Sequence, residues 1–209
     1  MTSAPPRAPA RLVLASANQH KLAELTRILA DGHVDVALVS LAEFPGAPDV
    51  AETGETFAEN ALLKAHAIAQ FTGLPAVADD SGLCADALNG MPGVLSARWS
   101  GRHGDDAANL QLLLAQLADV PAGERGARFV CVAALVLPSG AEHLAEGEVL
   151  GQLTRSPRGS NGFGYDPIFL PDGFERTTAQ MSADEKDEIS HRGKALRALA
   201  PVIAKELGS

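Results

Sequence analysis

"ARFVCVAALVLPSGAEHLAEGEVLGQLT", residues 127–154, is the longest β signal in the chain. Apolar and β-branched residues run up to Pro138-Ser139-Gly140 and resume beyond it, the pattern of two antiparallel strands joined by a turn. Upstream of this hairpin, strand and helix patterns alternate. "RLVLAS" (11–16) reads as a short buried strand feeding "NQHKLAELTRILAD", where Leu22, Leu25, Ile28 and Leu29 recur at helical spacing. Ser16 or Asn18 is placed to cap that helix. "VDVALVS" (34–40) is a second strand, and 41–56 is loop-like, with Pro45, Gly46, Pro48 and Gly54. From Thr56 a helix buries Phe57, Ala61, Ala65, Ile68 and Ala69. "LPAVAD" (74–79) reads as a strand that ends at an acidic pair, and 104–119 as a helix with Asp105 or Asp106 in its first turn. After the hairpin comes a Gly-rich loop, then a helical close in which Ser182 and Glu185 form a capping box and Ser190 can cap a second segment.

Alternating strands and helices followed by a hairpin predict an α/β fold, with a mixed, mostly central sheet and flanking helices. We expect a tail over residues 1–10 and a single domain over 11–209. The tail is Pro- and Ala-rich with no hydrophobic segment, which reads as frayed rather than as a secretion signal. No internal repeat or low-complexity linker interrupts the rest.

Composition narrows the function. Apolar content of 46% and charged content of 21% are those of a globular chain, and no apolar run approaches the length of a membrane span. Net charge is −9, a poor balance for general binding to nucleic acid, which rests on phosphate neutralisation. An anionic substrate therefore needs locally concentrated positive charge. There are only five lysines, and three of them, Lys21, Lys64 and Lys186, fall in the stretches discussed below. Cys84 and Cys131 lack metal-site or disulfide spacing and suit a reducing cytoplasm.

Five stretches carry chemistry-bearing residues. In "SANQHK", Ser16, Asn18 and Lys21 sit where a strand becomes a helix, an arrangement that attracts anions and is equally that of an ordinary capped helix. In "AETGETFAENALLK", Asn60 and Lys64 share a helix face at i,i+4, whereas Glu59 and Lys64 at i,i+5 do not pair well. "ADDSGL" sets Asp79 and Asp80 beside Ser81-Gly82. It reads as a turn or, with Glu52, as a Mg²⁺ and water site. "GSNGFGYDP" lacks the helix that a dinucleotide fingerprint needs after its glycines. Its Phe163 is placed to stack on a nucleobase or to fold onto the core. "SHRGK" brings His191 and Arg192 together near a helix start, with Lys186 a turn before.

In this order and at this spacing the five stretches resemble the non-canonical purine nucleoside triphosphate pyrophosphatases, the inosine/xanthosine triphosphate pyrophosphatase family. "SANQHK", "ETGETFAENALLKA", "ADDSGL…DALNGMPGVLSARW", "GFGYDPIF" and "MSADEKDEISHRGKAL" span residues 12 to about 197. The resemblance implies Mg²⁺-dependent hydrolysis of ITP, dITP or XTP to the monophosphate and pyrophosphate, in a cleft between two lobes of a cytoplasmic homodimer. It implies that Ser16, Asn18, Lys21 and Lys64 hold the triphosphate. Glu52 and Asp80 would bind the metal with Asp79 beside them. Asp80 would be the general base, and Ser81 a substrate contact. Phe163, Gly164, Tyr165 and Asp166 would form the base platform, closed over by Lys186, His191 and Arg192. A non-catalytic nucleotide sensor and a related pyrophosphatase with a pyrimidine pocket are the rival readings. Neither nucleic acid nor membrane is an expected partner.

Overall fold

The structure is a computed structural model that describes residues 9–208. The expected tail therefore lies outside the described residues except at its end, where Ala10 already opens the first strand. Among the described residues six strands form one sheet: β1 (Ala10–Leu14), β2 (Val36–Ser40), β3 (Ala76–Ala85), β4 (Gly126–Val136), β5 (Glu142–Leu153) and β6 (Phe169–Pro171). Their spatial order is β2-β1-β3-β4-β5-β6. β1 pairs in parallel with both β2 and β3, and every later pairing is antiparallel. The hairpin closes as its sequence requires, with the Leu137 N–H donating to the Ala141 carbonyl at 2.9 Å.

Among the described residues five α-helices flank the sheet: α1 (Gln19–Asp31), α2 (Phe57–Thr72), α3 (Asp106–Gln116), α4 (Ala183–Ile189) and α5 (His191–Leu207). Their ends follow local chemistry. Thr56 and Glu59 form a capping box on α2, Asp105 caps α3, and Ser182 with Glu185 boxes α4. Ser190 accepts the Gly193 N–H at 2.9 Å and so starts α5 immediately after α4 ends. Each such cap stabilises its helix by about 1 kcal/mol.

One expectation is corrected. β3 does not end at the acidic pair. It continues through Asp79, Asp80, Ser81 and Gly82 to Ala85, paired with β4 along its whole length. Two non-local facts override the turn-forming composition. β4 offers an unbroken partner, and Gly82 admits a close neighbour rather than a turn. A Cβ at Gly82 would lie 2.3 Å from the Gly93 carbonyl oxygen and 2.6 Å from Ser96 Oγ, because the 3-10 turn Gly93–Arg98 packs directly on the strand. We therefore expect Gly82→Ala to lower stability by about 1–3 kcal/mol in urea unfolding, the usual cost of overpacking a rigid contact.

Because β3 runs on, its residues alternate faces. Val77 packs with Leu12, Leu25, Cys131, Leu196 and Leu199 beneath α1 and α5. Ala76 and Ala78 pack with Ala61, Ala65, Ile68 and Val132 beneath α2. Further along the sheet, Leu83 and Ala85 join Leu110, Leu113, Val149, Ile168 and Phe169 in a third cluster covered by α3. Asp79 therefore faces α1 and α5, and Asp80 faces α2.

Candidate active site

Each member of the acidic pair meets its own cations. On one face, Lys21 Nζ, from the first turns of α1, lies 2.9 Å from both Asp79 carboxylate oxygens. Arg192, at the start of α5, donates from Nε to Asp79 Oδ2 at 3.1 Å. Gly147 on β5 makes room for that helix start: a Cβ there would lie 2.2 Å from the His191 carbonyl oxygen. Burial pushes the Asp79 carboxyl up, but Lys21 and Arg192 outweigh it and hold the group well below the usual carboxylate range. It is a permanently charged anchor for two cations.

On the other face, Asp80 accepts from Asn60 Nδ2 at 3.0 Å and lies 3.5 Å from Lys64 Nζ. Asn60 is fully buried and also accepts the Gly54 N–H at 2.8 Å, which ties the loop after Glu52 to α2. Lys64 Nζ reaches back to Glu52 Oε1 at 2.6 Å. Arg98 holds Glu52 from the far side, donating to its backbone carbonyl at 3.1 Å. Burial, with the charge of Glu52, keeps the Asp80 carboxyl above its ordinary value against the pull of Lys64 and Asn60. Burial pushes Glu52 the same way, but Lys64 and Arg98 prevail and its carboxyl is lowered. Two neighbouring carboxylates thus differ in basicity by environment, the arrangement that acid–base chemistry needs.

Both faces open onto one cleft of about 300 Å³. Glu52, Lys64 and Asp80 line it, as do Phe163, Gly164, Lys186 and His191. Phe163 stays 63% exposed, with Lys186 Nζ 4.8 Å from the centre of its ring. Lys186 is held by Asp166, whose Oδ2 also accepts the Phe163 N–H at 2.8 Å. A second cavity adjoins the first through Glu52, Lys64 and His103, and Ser16 lines it together with the 47–51 loop and Arg98.

The Ham1 family model matches residues 12–202 of this sequence. The chain belongs to the Ham1 family. The dITP/XTP pyrophosphatase of Streptomyces avermitilis is 61% identical over 198 residues, covering 95% of this chain and 99% of the relative. The solved nucleoside-triphosphatase/dITP/XTP pyrophosphatase of Mycobacterium abscessus superposes with a TM-score of 0.77 at 58% identity, covering 91% of this chain and 99% of that one. A HAM1 protein of Coxiella burnetii gives a TM-score of 0.87 at 44% identity, covering 94% and 99%.

Most residues expected from the sequence gather in this Ham1 cleft, with four differences. Asp79 does not join Glu52 and Asp80, because strand alternation sends it to the opposite face against Lys21 and Arg192. No group of three or more His, Cys, Asp or Glu side chains placed to hold a metal occurs among the described residues. Tyr165 presents no open platform: its ring is buried and its hydroxyl donates to the Ser96 carbonyl at 2.9 Å. His191 stacks on Phe129, ring centres 4.9 Å apart, and burial with Arg192 and Lys186 pushes it down to about 3, so it is neutral at physiological pH. Ser16 lines only the adjoining cavity, where its Oγ accepts the Asn18 N–H at 3.2 Å. Asn60, which the sequence places on one helix face with Lys64, holds Asp80, whereas Arg98, His103, Asp106 and Phe129 have no mark in the sequence and reach the cleft or its adjoining cavity only through tertiary packing.

Proposed function

We propose that this Ham1 protein hydrolyses ITP, dITP and XTP to the nucleoside monophosphate and pyrophosphate. The observation that carries the reading is the single cleft with two unlike parts. Glu52 and Asp80 converge on the Lys64 ammonium in one, and in the other an exposed phenylalanine carries a lysine over its ring. A purine stacked on Phe163 places its edge toward Lys186 and leaves its phosphates for Lys64 and the adjoining cavity lined by Ser16. Lys21 and Asn18, at the start of α1, border the same cleft.

The donor set fits Mg²⁺. The Lys64 ammonium already draws two carboxylates toward one cation, and Mg²⁺ sites use one or two carboxylates completed by phosphate oxygens and water. Glu52 and Asp80 are the residues that would hold the ion, with Asp79 left to anchor Lys21 and Arg192. When bound, Mg²⁺ supplies Lewis-acid charge against the negative phosphate oxygens. Asp80 takes the proton of the water that attacks the α-phosphorus, the task of a carboxylate held in place within reach of that water. Lys64 and Lys21 oppose the charge that builds on the departing pyrophosphate. Asn60 holds Asp80 in place, and Ser81, whose hydroxyl donates to Asp79 Oδ2 at 3.4 Å, lines the cleft on the other face.

Base choice follows from the donors. Lys186 faces the O6 edge of hypoxanthine or xanthine with a matching donor, but meets the amino group of adenine with a clash of donors. Such mismatches in buried sites discriminate by up to about 10⁴-fold. The two lobes are the α1/α2/α5 end of the sheet and the α3 end, with the cleft between them. Leu144 and Leu150, on the outward side of β5 and about half exposed, supply apolar surface that a homodimer would cover. Buried, unpaired Cys84 and Cys131 suit the cytoplasm. Among the described residues no helix is long and apolar enough to cross a membrane.

The test is product analysis with Mg²⁺ across ITP, dITP, XTP, GTP and ATP, following pyrophosphate and phosphate separately. Pyrophosphate release from the first three, with ATP turned over at least about a hundredfold less efficiently, is the expected result. Equal turnover of ATP overturns the base assignment.

A further inference from the structure

Asp106 belongs to none of the motifs that bear chemistry in the sequence, yet its carboxylate spans from α3 to the Gly-rich loop. Its Oδ2 accepts the Gly164 backbone N–H at 2.8 Å. Gly164 lies at φ +59°, a left-handed conformation that glycine adopts without steric cost. It sits between two aromatic residues with opposite fates: the Phe163 ring is exposed in the cleft, and the Tyr165 ring is buried. Both backbone amides at this turn are therefore taken by carboxylates, Phe163 N–H by Asp166 and Gly164 N–H by Asp106. The two carboxylates come from different parts of the fold, so together they fix the turn's attitude.

The mount of Asp106 is itself pinned. Asn109, which is buried, accepts the Ser100 N–H at 2.7 Å and the Ser100 hydroxyl at 2.8 Å, and donates to the Ala97 carbonyl at 3.1 Å. The Gly104 N–H closes the segment onto the same carbonyl at 2.8 Å. Asp105, not Asp106, provides the helix cap. The Asp106 side chain is thus available for the loop, at a spot where α3 gives it a fixed origin.

We propose that Asp106 is a positioning residue for base recognition. By holding Gly164 N–H it sets the tilt of the Phe163 ring, and so the affinity for the purine, without acting on the phosphates. The inference rests on the reading of Phe163 as the base platform. It predicts that substitutions at Asp106 separate the two products: the monophosphate, which carries the base, and pyrophosphate, which does not.

The experiment measures KM and kcat for ITP, and inhibition constants for inosine monophosphate and for pyrophosphate, in wild type, Asp106→Ala and Asp106→Asn. Losing a charge-assisted hydrogen bond predicts that Asp106→Ala raises KM and weakens monophosphate inhibition by about tenfold. kcat and pyrophosphate inhibition stay within about twofold, as for a lost interaction made equally in ground and transition states. Asp106→Asn keeps an acceptor oxygen and recovers to within about threefold of wild type. An unchanged KM in Asp106→Ala overturns the inference alone, and so does a joint loss of kcat and of affinity for both products, which marks a general structural role. Wild-type protein that neither hydrolyses ITP nor is inhibited by the monophosphate overturns the functional reading and this inference with it.

Discussion

Asp80→Asn lowers kcat for ITP by about 10³-fold while leaving the protein at least as stable as wild type at neutral pH. Both halves of this result come from one environment. The carboxyl is buried between Asn60 and Lys64, with Glu52 across the same ammonium, and its pKa is raised. An acid whose folded pKa exceeds its unfolded value contributes stability below the unfolded pKa, and that contribution is lost as pH rises through the folded pKa. At pH 7 the ionised Asp80 is therefore a cost to the fold. Asparagine removes that cost, keeps the shape, and leaves Lys64 its contact with Glu52. What it cannot do is take a proton from water. Thermal unfolding at pH 7 and single-turnover hydrolysis of ITP check the two halves. A variant that is inactive because it is unfolded contradicts the account.

Asp79→Asn is expected to do the reverse, with its main effect on the fold. The side chain neutralises Lys21 and Arg192, whose charged groups are themselves largely buried. Removing one partner of a buried pair costs about 3–5 kcal/mol. Since Lys21 and Arg192 keep some contact with water, the lower end applies. About 3 kcal/mol lowers the melting temperature of a chain this size by roughly 6–12 °C. The pH dependence has the opposite sign to that of Asp80. The Asp79 pKa is lowered by folding, so its contribution is present above the unfolded value and lost as pH falls through the folded one. Wild type should therefore lose stability below about pH 4 in a way that Asp79→Asn does not. Turnover falls as well, because Lys21 and Arg192 lose their anchor. Melting curves at neutral and acid pH that match for the two proteins contradict this assignment.

Two adjacent aspartates with opposite expected behaviour show what the sequence could and could not convey. The hairpin about Pro138-Ser139-Gly140, the helix starts at Thr56, Ser182 and Ser190, and the mixed sheet were readable, since caps and turns are local chemistry. The passage of β3 through "DDSG" was not. Aspartate, serine and glycine favour turns when taken alone, and only pairing with β4 and the packing of 93–98 against Gly82 keep the strand straight. The same non-locality explains the site. Lys21, Lys64, Lys186 and Phe163 were legible because each stands in a compact motif. Arg98, Asp106 and Phe129 reach the cleft through pairings across the fold and have no local mark. The different settings of Phe163 and Tyr165 have no local mark either: the Tyr165 ring packs in the third cluster with its hydroxyl on the Ser96 carbonyl, while Phe163 stays exposed.

The most direct measurement is hydrolysis of ITP in ¹⁸O-labelled water under single-turnover conditions, with mass analysis of both products. Attack at the α-phosphorus with Asp80 as base predicts that the label enters inosine monophosphate only, and that the labelled product disappears in Asp80→Asn. Label in the pyrophosphate, or in free phosphate, places the attack on another phosphorus and contradicts the account.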